Sequence, residues 1–402
     1  RVPVDEYVAY QERLNEAATV WREAKATSDY AMFEPLLQRI IDACRRFAEL
    51  VEPETDPYDF WLDNYEEGMT QEFCDKFFAE LRAKLVPLIA KVGAAEPPDT
   101  SLLNVRFPLD KQAELSGWLM RFLGLDPDRS ALTTTEHPFT IDFSRYDVRI
   151  TTKYYEDAFA SSMFSVIHEG GHALYELGTA EEYAFTQLGR GVSMGVHESQ
   201  SRFFENIIGR SRAFCSLAWP ELVRLCPELG RYDADMFYRA VNAAQPGLIR
   251  IEADELTYSL HIMVRYELER AMLHGELNAR DLPEHWNALY KQYLGVDVPD
   301  DAHGVLQDSH WSGGDFGYFP SYALGSAYGA QLVARMKEGF DVDAAVASGD
   351  LAPVRSWLGE RIWSHGSLRK PTELMRSALG GEFDASWYTN YLEAKMREVY
   401  KL

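Results

Sequence analysis

The chain has 402 residues, 46% of them hydrophobic, and a formal net charge of −23. Such a length and apolar share can bury one large core or two lobes. The charge argues against nucleic acid and anionic membranes as partners, since both repel an acidic protein. Four cysteines (Cys44, Cys74, Cys215, Cys226) form no C-x-x-C pair and are too sparse for a disulfide framework. They read as reduced core residues of a cytoplasmic protein. No apolar run reaches membrane-spanning length, and the N-terminus lacks a charged-then-apolar secretory pattern. The first residue is Arg1 rather than Met, which leaves room for an earlier natural start.

From the N-terminus, apolar residues at three- and four-residue spacing predict helices from Tyr7 to Lys25, Phe33 to Val51 and Gln71 to Val92. Residues 52–59 and 64–70 between them are turn-like. Trp21, Phe33, Leu36, Leu37 and Ile40 fall on apolar faces and read as core. Residues 93–101 are the clearest linker, dividing a helical lobe (1–95) from a metal-site lobe (101–402) within one catalytic unit. A long surface loop is equally consistent with that composition. Asp110 to Gly124 predicts another helix. Residues 137–155 then hold two β-favouring segments around Ser144, Arg145, Tyr146 and Asp147, which reads as a hairpin. Its edge could pair with an extended peptide; a purely structural hairpin is the plainer alternative.

Residues 157–178 carry the chemistry. His168 and His172 lie one turn apart on a single helical face, with Glu169 beside the first. In this H-E-x-x-H arrangement two imidazoles bind zinc, and the glutamate handles the proton of the attacking water. Asp157 is placed to cap the helix and Gly178 to end it. Gly170 and Gly171 in the middle should each cost about 1 kcal/mol relative to alanine, which predicts close approach of another backbone. A catalytic zinc needs a third protein ligand. The continuation H-x-x-G-x-x-H is absent, because Tyr175 and Gly178 occupy the required Gly and His positions. Glu198, on the next helix, is the preferred third ligand because His₂Glu is an established peptidase set; His197 is its rival, or else a supporting residue.

Further helices are predicted at 197–209, 216–226, 234–245, 253–274, 281–294, 321–337, 352–364 and 385–399, making the fold mainly α. Residues 303–320 are Gly- and Pro-rich and form a loop of functional length. His310 and Tyr318 within it are candidate donors to a developing oxyanion, and each also reads plainly as a loop-packing residue.

These motifs resemble those of the carboxypeptidase Taq family, peptidases with H-E-x-x-H plus Glu. HPF stands at His137–Phe139, D-x-R-x-T at Asp147, Arg149 and Thr151, and H-E-S-Q at His197–Gln200. I-R-x-x-A-D stands at Ile249, Arg250, Ala253 and Asp254. G-x-x-Q-D-x-H-W stands at Gly304, Gln307, Asp308, His310 and Trp311, followed by GYFPSYALG at 317–325. The resemblance implies a mainly helical fold with a deep groove and a small hairpin beside the metal helix. It also implies removal of single residues from free peptide C-termini, zinc as the metal with cobalt as a substitute, and a homodimer. Carried over by motif, His168, His172 and Glu198 hold the metal and Glu169 is the acid/base. Arg250, with Arg149, would grip the terminal carboxylate bidentately, and Asp147 and Tyr322 would join the substrate contacts. From the residues alone, either arginine reads first as a salt-bridge residue. Family members usually carry a longer N-terminal stretch with a W-D motif, so the start here reads as trimmed or naturally short. The rival activities are a zinc oligopeptidase cutting internal bonds and a non-catalytic peptide-binding protein. An aminopeptidase is disfavoured, because no G-x-M-E-N type sequence is present.

Overall fold

The computed structural model describes residues 2–402 and is mainly helical. In chain order, α1 (Val4–Thr27), α2 (Tyr30–Val51), α3 (Pro57–Tyr65), α4 (Gln71–Gly93) and α5 (Leu109–Leu123) precede a small sheet. The sheet comprises β1 (Ser130–Thr134), β2 (Thr140–Ser144) and β3 (Asp147–Thr152). After it come α6 (Phe159–Leu177), α7 (Met194–Arg202), α8 (Arg212–Leu225), α9 (Ala234–Val241), α10 (Tyr258–His274) and α11 (Leu282–Leu294). The chain closes with α12 (Pro320–Lys337), α13 (Val342–Ser348), α14 (Ala352–Arg361), α15 (Pro371–Leu379) and α16 (Ser386–Tyr400). Among the described residues, no helix is long and apolar enough to cross a membrane. All four cysteines are buried free thiols.

Two compact units emerge, each discontinuous in sequence. One comprises Arg1–Ile89 with Ala244–Ala323, and the other Ala90–Ala243 with Leu324–Leu402. In the first, the predicted face of α2 is buried through Phe33, Leu36, Leu37, Ile40, Ile41 and Cys44, and the Asp29 carboxylate caps the helix on the Ala31 amide. α3 was not predicted; Asp56 caps it by accepting from the Tyr58 and Asp59 amides, with Pro57 at its first position. The turn residues of that stretch are thus a helix start.

In the second unit the hairpin forms as predicted, with β2 antiparallel to β3 and an irregularity between Asp142 and Ser144. A third strand, β1, pairs parallel to β3 on its other side, giving the order β1-β3-β2. Its short, half-exposed Ser-Ala-Leu-Thr-Thr run offers little alternation to read. Helix α6, which carries His168 and His172, lies against the sheet and is buried on almost every side. Asp157 does not cap it: the N-cap is Ala158, without a side-chain bond, and the fully buried Phe159 anchors the first turn instead.

Candidate metal centre

The double glycine in α6 has the expected use at one of its two positions. A Cβ on Gly171 would lie 2.7 Å from both the Gln200 carbonyl oxygen and the Ser201 Cα, so the backbone of α7 passes where a side chain would begin. At Gly170 the neighbour is the Leu123 side chain instead. Gly325 of α12 plays the same part beside α7, where a Cβ would meet the Glu198 backbone carbon at 2.7 Å. Glycines from two helices therefore let α7 settle close enough for its side chains to reach α6.

The result is a converging set of donors. His168, His172 and Glu198 each offer an atom within 4.8 Å of the others. His168 Nε2 lies 3.9 Å from Glu198 Oε2, and His172 Nε2 lies 3.7 Å from Glu198 Oε1. Zinc-type ligands about 2 Å from a tetrahedral ion sit roughly 3.3 Å apart, so this spacing fits a small divalent cation. Donor chemistry agrees, with two imidazoles and one carboxylate. The Ser201 hydroxyl donates to Glu198 Oε2 at 2.9 Å and fixes that carboxylate.

The Nδ1 atoms of both histidines are tied back, leaving Nε2 for the ion. His168 Nδ1 bonds Glu205 Oε2 at 2.9 Å. Glu205 sits in a wider π-helical turn, Phe203–Ile208, that continues α7. Arg202 (3.2 Å) and Arg210 (3.3 Å) brace it. Burial works against the charge on Glu205, but Arg202, His168 and Arg210 hold its carboxyl far below the usual range. His172 Nδ1 faces His197 Nδ1 at 3.1 Å, and His197 Nε2 faces Glu176 Oε1 at 2.6 Å. Burial, with His168 and His197 nearby, pushes His172 well below the ordinary imidazole range, toward the neutral form a ligand requires. His197, the rival ligand, faces His172 Nδ1 and is not one of the three residues in the donor cluster.

Glu169 is buried beside these ligands. The Thr140 hydroxyl of β2 donates to its Oε2 at 2.6 Å. Burial raises the pKa of the Glu169 carboxyl, against the pull of His168 and Thr140. Asp147 and Arg149, on β3 of the same unit, form a solvent-exposed ion pair at 2.7 Å.

The remaining predicted residues gather in the other unit, around a buried Arg–Asp–Arg cluster. Asp308 takes Arg250 on Oδ1 (2.9 Å) and Arg265 on Oδ2 (2.5 Å). Gln307 Oε1 accepts from the Arg250 amide and from Arg265, which locks both to one loop. The Arg250 guanidinium lies 4.9 Å from the Tyr322 ring centroid and also donates to the Tyr258 hydroxyl. Despite burial, the two guanidiniums hold Asp308 well below the carboxylate range, so the cluster carries a net positive charge. His310 bonds the Tyr322 hydroxyl at 3.3 Å, while its Nδ1 is buried without a hydrogen bond. Burial and the adjacent Arg250 lower its pKa to about 3, so it is a neutral imidazole. Tyr318 packs edge-on against Tyr322.

Glu205, Glu176, Arg265 and Thr140 were not predicted. Only Glu176 left a usable signal, since it continues the His168–His172 stripe by one further turn.

A sequence profile of the carboxypeptidase Taq (M32) metallopeptidases matches residues 1–396. "Carboxypeptidase 1" of Bacillus subtilis (strain 168) is 42% identical, over 100% of this chain and 81% of that one. "Thermostable carboxypeptidase 1" of Pyrococcus furiosus is 40% identical, over 94% of this chain and 77% of that one. Among solved structures, the M32 carboxypeptidase from Deinococcus radiodurans R1 has a TM-score of 0.97 at 38% identity, covering 100% of this chain and 81% of that one. With a His-His-Glu trio that could hold a metal ion and a match running almost end to end, the chain belongs to the carboxypeptidase Taq (M32) family and is a metallocarboxypeptidase.

Proposed function

We propose that the protein removes single residues from free peptide C-termini, using a zinc ion held by His168, His172 and Glu198 and a proton carried by Glu169. The observation that supports this most is the three-donor cluster with a buried carboxyl placed beside it. When bound, zinc would polarise the scissile carbonyl and bring the pKa of a water toward neutrality.

The chain's own residues supply the rest. Thr140 occupies Glu169 Oε2, which leaves Oε1 to accept the proton of the attacking water and return it to the leaving amine. A raised carboxyl pKa makes that return easier, because the acid form is less costly to reach. β2 is an edge strand, and Thr151 N–H donates to the Phe139 carbonyl, so the amides and carbonyls of Thr140 and Asp142 face away from β3. An extended peptide could add there as a further strand. Arg250 is the group proposed to bind the terminal carboxylate, with Tyr322 against its face. Its cluster has one guanidinium charge more than Asp308 neutralises. His310, being neutral, would act as a hydrogen-bond donor rather than an acid, and Tyr318 as a second donor. Arg149 and Asp147 would make outer, solvent-exposed substrate contacts. Cobalt as a working substitute, a homodimer and a cytoplasmic location extend the same reading.

Mass spectrometry of a peptide and its C-terminally amidated twin, digested by the zinc-loaded protein, tests the proposal. Stepwise loss of one residue from the free acid alone is expected. Equal cutting of both twins at internal bonds would replace it with the oligopeptidase reading. No cutting of either, with zinc bound, would leave a peptide-binding protein.

A further inference from the structure

Two ligands from one helix are wired to their surroundings in different ways. His168 reaches a carboxylate directly, at Glu205. His172 reaches one only through a second imidazole, His197, whose other nitrogen meets Glu176. His197 is closely boxed. Its ring centroid lies 4.8 Å from that of Tyr175, and a Cβ on Gly191 would collide with its Nε2 and Cδ2. The Gly191 amide donates to Glu176 Oε1 at 2.9 Å, and the Val192 amide donates to the Tyr175 hydroxyl. The segment 191–192 thereby bonds both the relay's carboxylate and the tyrosine ring packed at a tilt against His197.

We infer that His197 and Glu176 are positioning residues for the metal, a relay that sets the tautomer and ring angle of His172. The inference rests on the proposed three-ligand reading and extends it. An ion on His172 Nε2 requires the ring proton on Nδ1. That N–H must then donate to His197 Nδ1, which puts the His197 proton on Nε2, where it donates to Glu176 Oε1. With the ion on His172 Nε2, this is the one arrangement of neutral rings in which a donor meets an acceptor at both relay contacts. Without His197, His172 can carry its proton on Nε2 and present no lone pair to the ion. Glu176, held ionised despite burial by His197 and the Gly191 amide, supplies the negative charge that the relay passes on.

The test is zinc affinity of the full chain by competition with a chelator, together with the visible absorption of the cobalt-loaded protein. His197→Phe removes both relay contacts and is expected to weaken zinc binding about 10–100-fold and to shift the cobalt bands. His197→Gln can accept with its carbonyl and donate with its amide, so it should restore affinity and spectrum toward wild type. Glu176→Gln keeps an acceptor but loses the charge, and should fall between the two. His197→Phe binding zinc as wild type does, with an unchanged cobalt spectrum, would overturn the relay. If His197→Phe does not fold, the other two variants decide: Glu176→Gln weaker than His197→Gln supports the relay, and the reverse or equality overturns it. A wild-type chain that binds no zinc would instead overturn the three-ligand reading beneath it.

Discussion

The metal centre and the Arg250 cluster use the same materials with opposite charge. Around His168 and His172, the carboxylates Glu198, Glu205, Glu169 and Glu176 outnumber Arg202 and Arg210, and the surplus is negative. Around Asp308, two guanidiniums share one carboxylate, and the surplus is positive. Buried ion pairs of this kind contribute little net stability, because desolvation offsets their attraction. What they do achieve is orientation. Under the proposed function, the negative surplus of the first would suit a cation and the positive surplus of the second a carboxylate.

Changing one region at a time should break this division in distinguishable ways. Glu169→Gln should lower kcat by about 10²–10⁴-fold while zinc and peptide binding persist, as read by single-turnover kinetics and calorimetry. Turnover at the wild-type rate would remove Glu169 from proton transfer. Arg250→Ala should act through the substrate's charge instead. Truncating one side of such a contact costs about 2 kcal/mol or more, so the kcat/KM ratio of free acid to amide should fall by roughly 30-fold or more. That ratio does not depend on the folded fraction, which matters because the substitution also strips Asp308 of a buried partner. An unchanged ratio would pass the carboxylate to Arg149.

Smaller effects sharpen the same contrast. Gly171→Ala forces a methyl against the Gln200 carbonyl, and should cost about 1–3 kcal/mol in thermal stability and loosen zinc binding with it. Loss of stability without any change in zinc affinity would separate the glycine from the ligand geometry. Glu269 supports the loop that carries His310, accepting from Trp311 Nε1, the Gly317 amide and the Tyr58 hydroxyl. Burial pushes its carboxyl up to about 7 from an ordinary 4.5, against those hydrogen bonds. The folded protein therefore binds more protons than the unfolded chain between these values. Stability from this group is complete below pH 4.5 and lost as pH rises through 7. Glu269→Gln should flatten denaturant-derived stability across that window, and an unaltered slope would place the titration elsewhere.

How far the sequence could be read depended on whether a side chain's partner was local. His168, Glu169 and His172 follow one another on a single helix, and the reason for Gly171 could be stated from the cost of glycine there. Glu198 is marked by its motif and by the need for a third ligand, and it lies in the donor cluster with His168 and His172. Glu205 is not so marked, because nothing local identifies an acid in a π-helical turn as a partner for His168. Arg265 reads as an ordinary charge on α10 until Asp308 is seen to face it. Arg250 and Arg149 both form the ion pairs that the residues alone predict, Arg250 buried and Arg149 exposed. Short elements escaped too: α13 and α15 hold too few turns for a clear apolar period.

Anomalous diffraction at the zinc edge, from crystals of the zinc-loaded protein, tests the central claim most directly. The account predicts one strong peak bounded by His168 Nε2, His172 Nε2 and the Glu198 carboxylate, with His197 outside bonding distance. A peak ligated by His197 in place of Glu198, or located away from α6, would contradict it.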